Sequence, residues 1–229
     1  MNKLISAKEA AAKIPDGATI FIGGYMGESS AKAVIRELLR SEKGGFTLLA
    51  NDGGQVRKGE AEPYLGIAQL IHAGKVRKLI ATHVGLNPEV SELVNQGKME
   101  LVLLPQGSFA EMIRSAGAGL GGVLTPTGVG TEVEKNEFTI GKQVIQGKEY
   151  LLMAPLRADV ALINGTKIDK NGNIWYRGST RTFSTVMVTA ADLVIAEANR
   201  IVPVGEVAQE NIMTPGVYVD YVVAWEEES

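Results

Sequence analysis

Fifteen residues, Asp16 to Ser30, constrain this chain more than any other stretch. They compress a turn, a strand, a glycine-rich bend and a helix start into one short segment. Ile20, Phe21 and Ile22 follow an Asp16-Gly17 turn as an unbroken apolar run. A strand buried on both faces reads that way, which points to a covered, parallel sheet. Gly23 and Gly24 then remove side chains where the backbone bends or a ligand comes close. Ser29 or Ser30 can cap the segment that follows, where Ala33, Val34, Leu38 and Leu39 recur at helical spacing. In α/β sheets ligands sit at the carboxyl ends of strands, against such helix starts. Spacing alone leaves two readings open: a ligand loop, or a tight strand-to-helix turn.

The rest of the first half repeats this unit. Thr19–Ile22, Phe46–Ala50, Lys78–Thr82 and Glu100–Leu104 are strand candidates. Between and after them come helical patterns over Ala31–Arg40, Pro63–His72, Glu89–Asn95 and Phe109–Ala116. Strands alternating with helices argue for βαβ units, right-handed crossovers and a mostly parallel sheet flanked by helices. The texture changes after Ala116, with six glycines and Pro126 among residues 117 to 130. Leu120, Val123, Leu124 and Val129 make this a compact loop rather than a flexible linker. Beyond it the chain looks strand-rich, with Gln143–Tyr150 and Ile174–Tyr176 near Gly147 and the Asn171-Gly172-Asn173 turn. Ala158–Ile163 and Leu193–Ala198 resemble two more buried strands, with a helix over Thr185–Ala191. No shift in composition divides the chain, so residues 1–229 are expected to form one α/β domain with a β-rich excursion.

Several functions are excluded early. A net charge of −3 without a long basic run gives nucleic acid no footing. Met1 to Ile14 carries Lys3, Lys8, Glu9 and Lys13, unlike a secretory signal, and no apolar run could span a bilayer. With no cysteine there is no disulfide or thiolate chemistry, which fits the cytoplasm. His72 and His83 are the only histidines and stand in different segments, so no metal site is expected. His72 ends a helical pattern before Gly74, an ordinary place for a histidine. Gly117 to Gly122 spells GxGxxG, but a helix precedes it and Thr125-Pro126 follows, the wrong context for a dinucleotide. Those glycines are expected to let a loop pack beneath a site. No GxSxG elbow exists for a serine triad.

Three polar groups do fall together. Asn51-Asp52, Thr82-His83 and Gln106 each follow a strand, so in a parallel sheet they share the rim with Gly23-Gly24. Singly each suits a turn or cap. Jointly they offer amide and carboxylate hydrogen bonds that position a carboxylate or carbonyl rather than attack it. Glu28 lies in the bend with nothing visible to activate it, and Glu226–Glu228 reads as a solvated tail.

An ordered series of segments then carries a resemblance along nearly the whole chain. Asp16-Gly17 to Gly27, Ala50-Asn51-Asp52, Lys75-Val76-Arg77-Lys78 and Leu104-Pro105-Gln106-Gly107 begin it. Ile113-Arg114, Ala116–Gly122, Leu124 to Thr131 and Met213-Thr214-Pro215-Gly216-Val217 continue it. These residues resemble the alpha subunit of family I coenzyme A transferases, nearest the 3-oxoacid type that includes acetoacetate and butyrate–acetoacetate CoA-transferases. The resemblance implies a beta-subunit partner, commonly as two alpha and two beta chains. It also implies that CoA is a substrate and that no cofactor is permanently bound.

By the same resemblance a glutamate attacks the acyl-CoA thioester, and CoA thiolate then gives an enzyme glutamyl thioester. In two-chain members that glutamate sits in a Ser-Glu-Asn-Gly segment of the beta subunit. The corresponding place here reads Ala50-Asn51-Asp52-Gly53, so this chain supplies no catalytic nucleophile. Gly23, Gly24, Tyr25, Met26, Gly27, Glu28 and Ser29 correspond to the CoA-binding glycine motif, while Asn51 and Gln106 match supporting amides. Tyr25, Ser29 and Ala31 depart from the family's usual Phe, Gly and Pro, and Gly53-Gly54-Gln55 is also less usual. Two alternatives stand beside this reading: a sugar-phosphate isomerase or deaminase on a related scaffold, and a non-catalytic binding subunit. The bend lacks the lysine that a phosphate loop of the former would carry.

Overall fold

The computed structural model describes residues 3–225. The expected tail Glu226–Glu228 lies outside the described residues. The chain opens with β1 (Leu4–Ile5) and α1 (Ala7–Lys13), then β2 (Thr19–Ile22), α2 (Lys32–Arg40) and β3 (Phe46–Ala50). A small ribbon of β4 (Gln55–Val56) and β5 (Tyr64–Leu65) leads into α3 (Ala68–His72) and β6 (Val76–Ala81). Next come α4 (Pro88–Asn95), β7 (Glu100–Leu103) and α5 (Gln106–Gly117). The second half runs β8 (Val123–Thr125), β9 (Thr139–Ile145), β10 (Lys148–Met153), β11 (Ala158–Asp169) and β12 (Ile174–Trp175). It closes with α6 (Ser184–Met187), β13 (Ala191–Val202) and β14 (Tyr221–Ala224).

A nine-stranded sheet organises these elements in the order β1-β14-β13-β11-β2-β3-β6-β7, with β12 paired to β11. Every pairing along that path is parallel, and only β12 is antiparallel. Successive residues of the central strands bury themselves on opposite faces, as the two-residue period requires. Ile20, Ile22, Leu48 and Leu79 pack against Val34, Leu38, Leu70 and Val90 of α2, α3 and α4. Phe21, Leu49 and Ile80 face the other way, towards Phe109, Met112 and Ile113 of α5 and Met187 of α6. The apolar run Ile20-Phe21-Ile22 is thus buried on both sides.

Order in the sheet also fixes where a site can form. From β2 the chain builds outward through β3, β6 and β7 in one direction, and through β11, β13 and β14 in the other. The order reverses between β2 and β11, the place in an open α/β sheet where ligands bind at the strands' carboxyl ends. Gly23 follows β2 there, donating its N–H to the Leu162 carbonyl of β11 at 3.0 Å.

Local departures from the sequence expectations have local causes. The helix expected over Pro63–His72 begins only at Ala68, because Gly66 takes φ +62° and its backbone presses on Gly27. The strand expected over Gln143–Tyr150 is two strands joined at Gln146-Gly147, both at positive φ (50° and 78°), the signature of a type I′ hairpin. Within the glycine-rich loop, Val123–Thr125 pairs with β10 as β8. The expected helix Thr185–Ala191 is the shorter Ser184–Met187. Gly117 to Gly122 proves to be a helix stop. Gly119 at φ +70° lets Leu120 N–H reach the Ser115 carbonyl and Gly119 N–H reach Ala116, a Schellman cap. Gly117 packs on Thr189 and Gly122 on Met153, so these glycines serve packing around α5 rather than a loop beneath the rim.

Candidate functional site

The bend from Gly23 to Ser30 is built against neighbouring backbone. Tyr25 and Glu28 exchange both backbone hydrogen bonds, 3.0 and 2.9 Å. Met26 and Gly27 between them have φ of 52° and 82°, as a type I′ turn demands. A Cβ at Gly24 would lie 2.5 Å from the Glu28 carbonyl oxygen, and one at Gly27 would strike Leu65. One at Gly23 would meet Ser184 Oγ at 2.7 Å. Internal packing and positive φ therefore require Gly24 and Gly27, while a side chain at Gly23 would have to displace the Ser184 hydroxyl. A narrow crevice remains between the bend, Ala50-Asn51-Asp52 at the end of β3, and Gly66-Ile67.

The rim residues expected from strand ends do converge. Gln106, at the start of α5, donates from Nε2 to Asn51 Oδ1 at 2.6 Å. Asn51 Nδ2 donates onward to Asp52 Oδ2 at 2.9 Å. The same oxygen accepts the Met26 N–H at 2.8 Å, while Asp52 Oδ1 accepts the Gly54 N–H at 2.8 Å. One chain of hydrogen bonds thus runs from the start of α5, across the end of β3, to the tip of the bend. Asn51 and Asp52 are buried and Gln106 is exposed, so Gln106 is the member turned to solvent. Asn51 stands behind it and sets its orientation. The Thr82 hydroxyl donates to the Asn51 carbonyl at 2.8 Å. His83 pairs with Asp52 through the backbone and lies 6.4 Å, centre to centre, from the Tyr25 ring.

On the β11 side, Gly24 donates its N–H to Thr182 Oγ1 at 3.3 Å. Thr182 has φ +37°, a strained geometry for a β-branched residue and one found preferentially at functional sites. Ser184 Oγ, beside Gly23, is buried without a partner.

The helix start after the bend differs from expectation. Neither Ser29 nor Ser30 caps α2. Ser30 Oγ turns back to the Gly27 carbonyl, and Ala31 occupies the cap position with no side chain to offer. Glu197 of β13 takes that role, its Oε2 accepting from Ala33 N–H at 2.9 Å and Val34 N–H at 3.2 Å. This helix N-terminus is therefore already filled by a carboxylate of the chain itself. Burial pushes the Glu197 carboxyl up to about 7, opposed by those backbone N–H groups and Arg36. The sequence signal was a lone acid inside the apolar run Leu193–Ala198.

The Glu28 side chain is 68% exposed, with the Arg57 guanidinium 3.9 Å away. His72 stacks on Tyr64 at 3.9 Å and meets Glu89 at 3.1 Å, away from the rim as its helix-end position implies. Among the described residues no group of three or more His, Asp or Glu side chains is placed to hold a metal ion. No helix among them is long and apolar enough to cross a membrane.

The site is thus a hydrogen-bond chain and a glycine bend at the switch point of an α/β sheet. Comparison with known proteins places the chain. The family model described as Coenzyme A transferase matches residues 4–225, and the chain belongs to that family. The acetate CoA-transferase subunit alpha of Escherichia coli (strain K12) is 42% identical over 226 residues, covering 99% of this chain and 98% of that one. The acetoacetyl-CoA:acetate/butyrate CoA transferase alpha subunit of Clostridium acetobutylicum is 40% identical over 222 residues, covering 97% of each. Among solved structures, an acyl-CoA transferase of E. coli O157:H7 in a thioester complex with CoA superposes with a TM-score of 0.84 at 24% identity. All of this chain aligns there, yet it spans about half of that protein (48%), a likeness of fold. Alpha subunits match end to end, which favours the CoA-transferase reading over the sugar-phosphate and scaffold alternatives.

Proposed function

We propose that residues 1–229 form one domain, the alpha subunit of a cytoplasmic, short-chain CoA-transferase. It works with a beta subunit, as two alpha and two beta chains, and holds no permanent cofactor. The enzyme moves CoA between an acyl-CoA, such as acetoacetyl-CoA, butyryl-CoA or acetyl-CoA, and a free carboxylic acid. The observation that carries this reading is the hydrogen-bond chain Gln106–Asn51–Asp52–Met26, which ends on a bend with no activated nucleophile beside it. Such a rim can steady charge as it develops. The attacking glutamate then belongs to the beta subunit, whose carboxylate forms the anhydride and afterwards the glutamyl-CoA thioester.

Roles divide along the same geometry. Gln106 presents its exposed amide to the reacting carboxylate and the developing oxyanion. Asn51 is a positioning residue that acts through Gln106. Gly23 to Ser29 line the CoA-facing side, where Tyr25 and Glu28 are exposed and Ser29 half-buried. The names of the relatives above supply the substrates and the subunit division. Reconstitution tests the whole: this chain alone should transfer no CoA from acetoacetyl-CoA to acetate, and adding a cognate beta chain should restore transfer. Full activity from this chain alone would overturn the division.

A further inference from the structure

A strand from the far side of the switch point reaches the helix that leaves the glycine bend. Ile22 of β2 is level with Leu162 of β11, and Leu162 with Ile195 of β13. Glu197 therefore stands two residues past that level, beside the bend. It shares the face of Ile195, which belongs to the cluster under α2. Its side chain is 1% exposed. Oε2 takes the Ala33 and Val34 N–H groups, and the Lys32 N–H also bears on the carboxylate. Oε1 is buried without a partner.

That arrangement is costly as a simple helix cap. A serine at position 31 would take one of those N–H groups locally, without desolvating a carboxylate. What a local cap cannot do is tie α2 to β13. The bend has three tethers: Gly24 to Thr182 at its entry, Met26 to Asp52 at its tip, and α2 to Glu197 at its exit. We propose that Glu197 is a positioning residue for the transfer reaction, holding the first turn of α2 and thereby the exit of the Gly23–Ser29 bend that receives CoA. The consequence for CoA rests on the reading of the bend given above, whereas the tether does not.

The test uses the assembled two-chain enzyme with Glu197→Gln, Glu197→Ala, and Glu197→Ala combined with Ala31→Ser. Amide hydrogen exchange across residues 24–34 reports the tether, and kcat with separate KM values for acyl-CoA and acceptor reports its use. Glu197→Ala should speed exchange in this segment about tenfold, the effect of losing a helix cap. It should raise the acyl-CoA KM by a similar factor, with kcat and the acceptor KM little changed. Glu197→Gln keeps an acceptor oxygen and should fall between, so it reads the tether even if the alanine variant assembles poorly. Ala31→Ser should restore protection from Ala33 onward but not at Gly24–Ser30, since it caps α2 without tying it to β13. Unchanged exchange in both single variants overturns the proposal. Full recovery of the bend by Ala31→Ser overturns it too, reducing Glu197 to a plain cap. Faster exchange with an unmoved acyl-CoA KM supports the tether and overturns the CoA assignment of the bend instead.

Discussion

Gln106 Nε2 lies 2.6 Å from Asn51 Oδ1, joining the first turn of α5 to the end of β3 across the open rim of the sheet. Asn51 spends its amide N–H on Asp52, so its oxygen is oriented towards Gln106 and the Gln106 side chain is held in one pose. A preorganised donor of this kind need not reorganise as charge develops. Gln106→Ala should therefore lower kcat about a hundredfold in the assembled enzyme. The side chain is exposed, so assembly and thermal stability should hold. Steady-state kinetics alongside size-exclusion chromatography would check this, and unchanged kcat would remove Gln106 from the site.

Asp52 is the node on which the rim and bend meet, accepting from Met26, Asn51 and Gly54. Asp52→Ala strands donors in a buried place, at a cost of about 1–3 kcal/mol each where water cannot replace the acceptor. Asp52→Asn keeps one acceptor oxygen and should lose roughly half as much. Urea unfolding of the chain would order the three proteins as wild type, Asn, Ala. Equal stability of the alanine variant would mean that water supplies the missing acceptors.

Glycine positions separate packing from conformation. Gly27 has φ +82° and its Cβ direction runs into Leu65, whereas Gly107 faces open space in the first turn of α5. Gly27→Ala should cost about 2 kcal/mol or more through strain and overlap. Gly107→Ala should be neutral, or stabilising by up to about 1 kcal/mol from helix propensity. Thermal denaturation of both variants decides the point, and matching midpoints would show that the bend shifts freely.

Glu197 also gives stability a pH signature. Its folded carboxyl sits at about 7 because burial disfavours the charge, against 4.5 for the ordinary group. Below both values it is protonated in either state and costs nothing. Between them the folded chain holds the proton more tightly, so this contribution is lost as pH rises through the folded value. The loss is on the order of 3 kcal/mol. Glu197→Gln removes it, so unfolding free energies at pH 5 and pH 8 should fall less in the variant than in wild type. Identical falls would show that Glu197 ionises in the fold without penalty.

Much of the scaffold was legible because period and burial agree. Thr19–Ile22 and Phe46–Ala50 begin and end as the sequence marks them, since apolar runs between turns have no other buried use. The rim was legible for a geometric reason: Asn51 and Gln106 follow parallel strands, so topology alone brings their chain positions to one edge. Longer-range partners escaped. Nothing near Ala31 announces that its helix is capped by Glu197 of β13, because register across the sheet joins them. Gly66 likewise looks like a residue inside a helix until its backbone meets Gly27. Helix α1 was missed although its signal is local: the Ser6-Ala7-Lys8-Glu9 spacing forms the capping box that starts it.

In this division of labour the chain orients the reaction and its partner performs the attack. The most direct measurement is intact-mass and peptide mapping of the two-chain enzyme after brief incubation with acyl-CoA. The glutamyl-CoA adduct should lie on a glutamate of the beta chain, and this chain should keep its unmodified mass. An adduct on this chain, with Glu28 in the bend as the first carboxylate to inspect, would contradict the account.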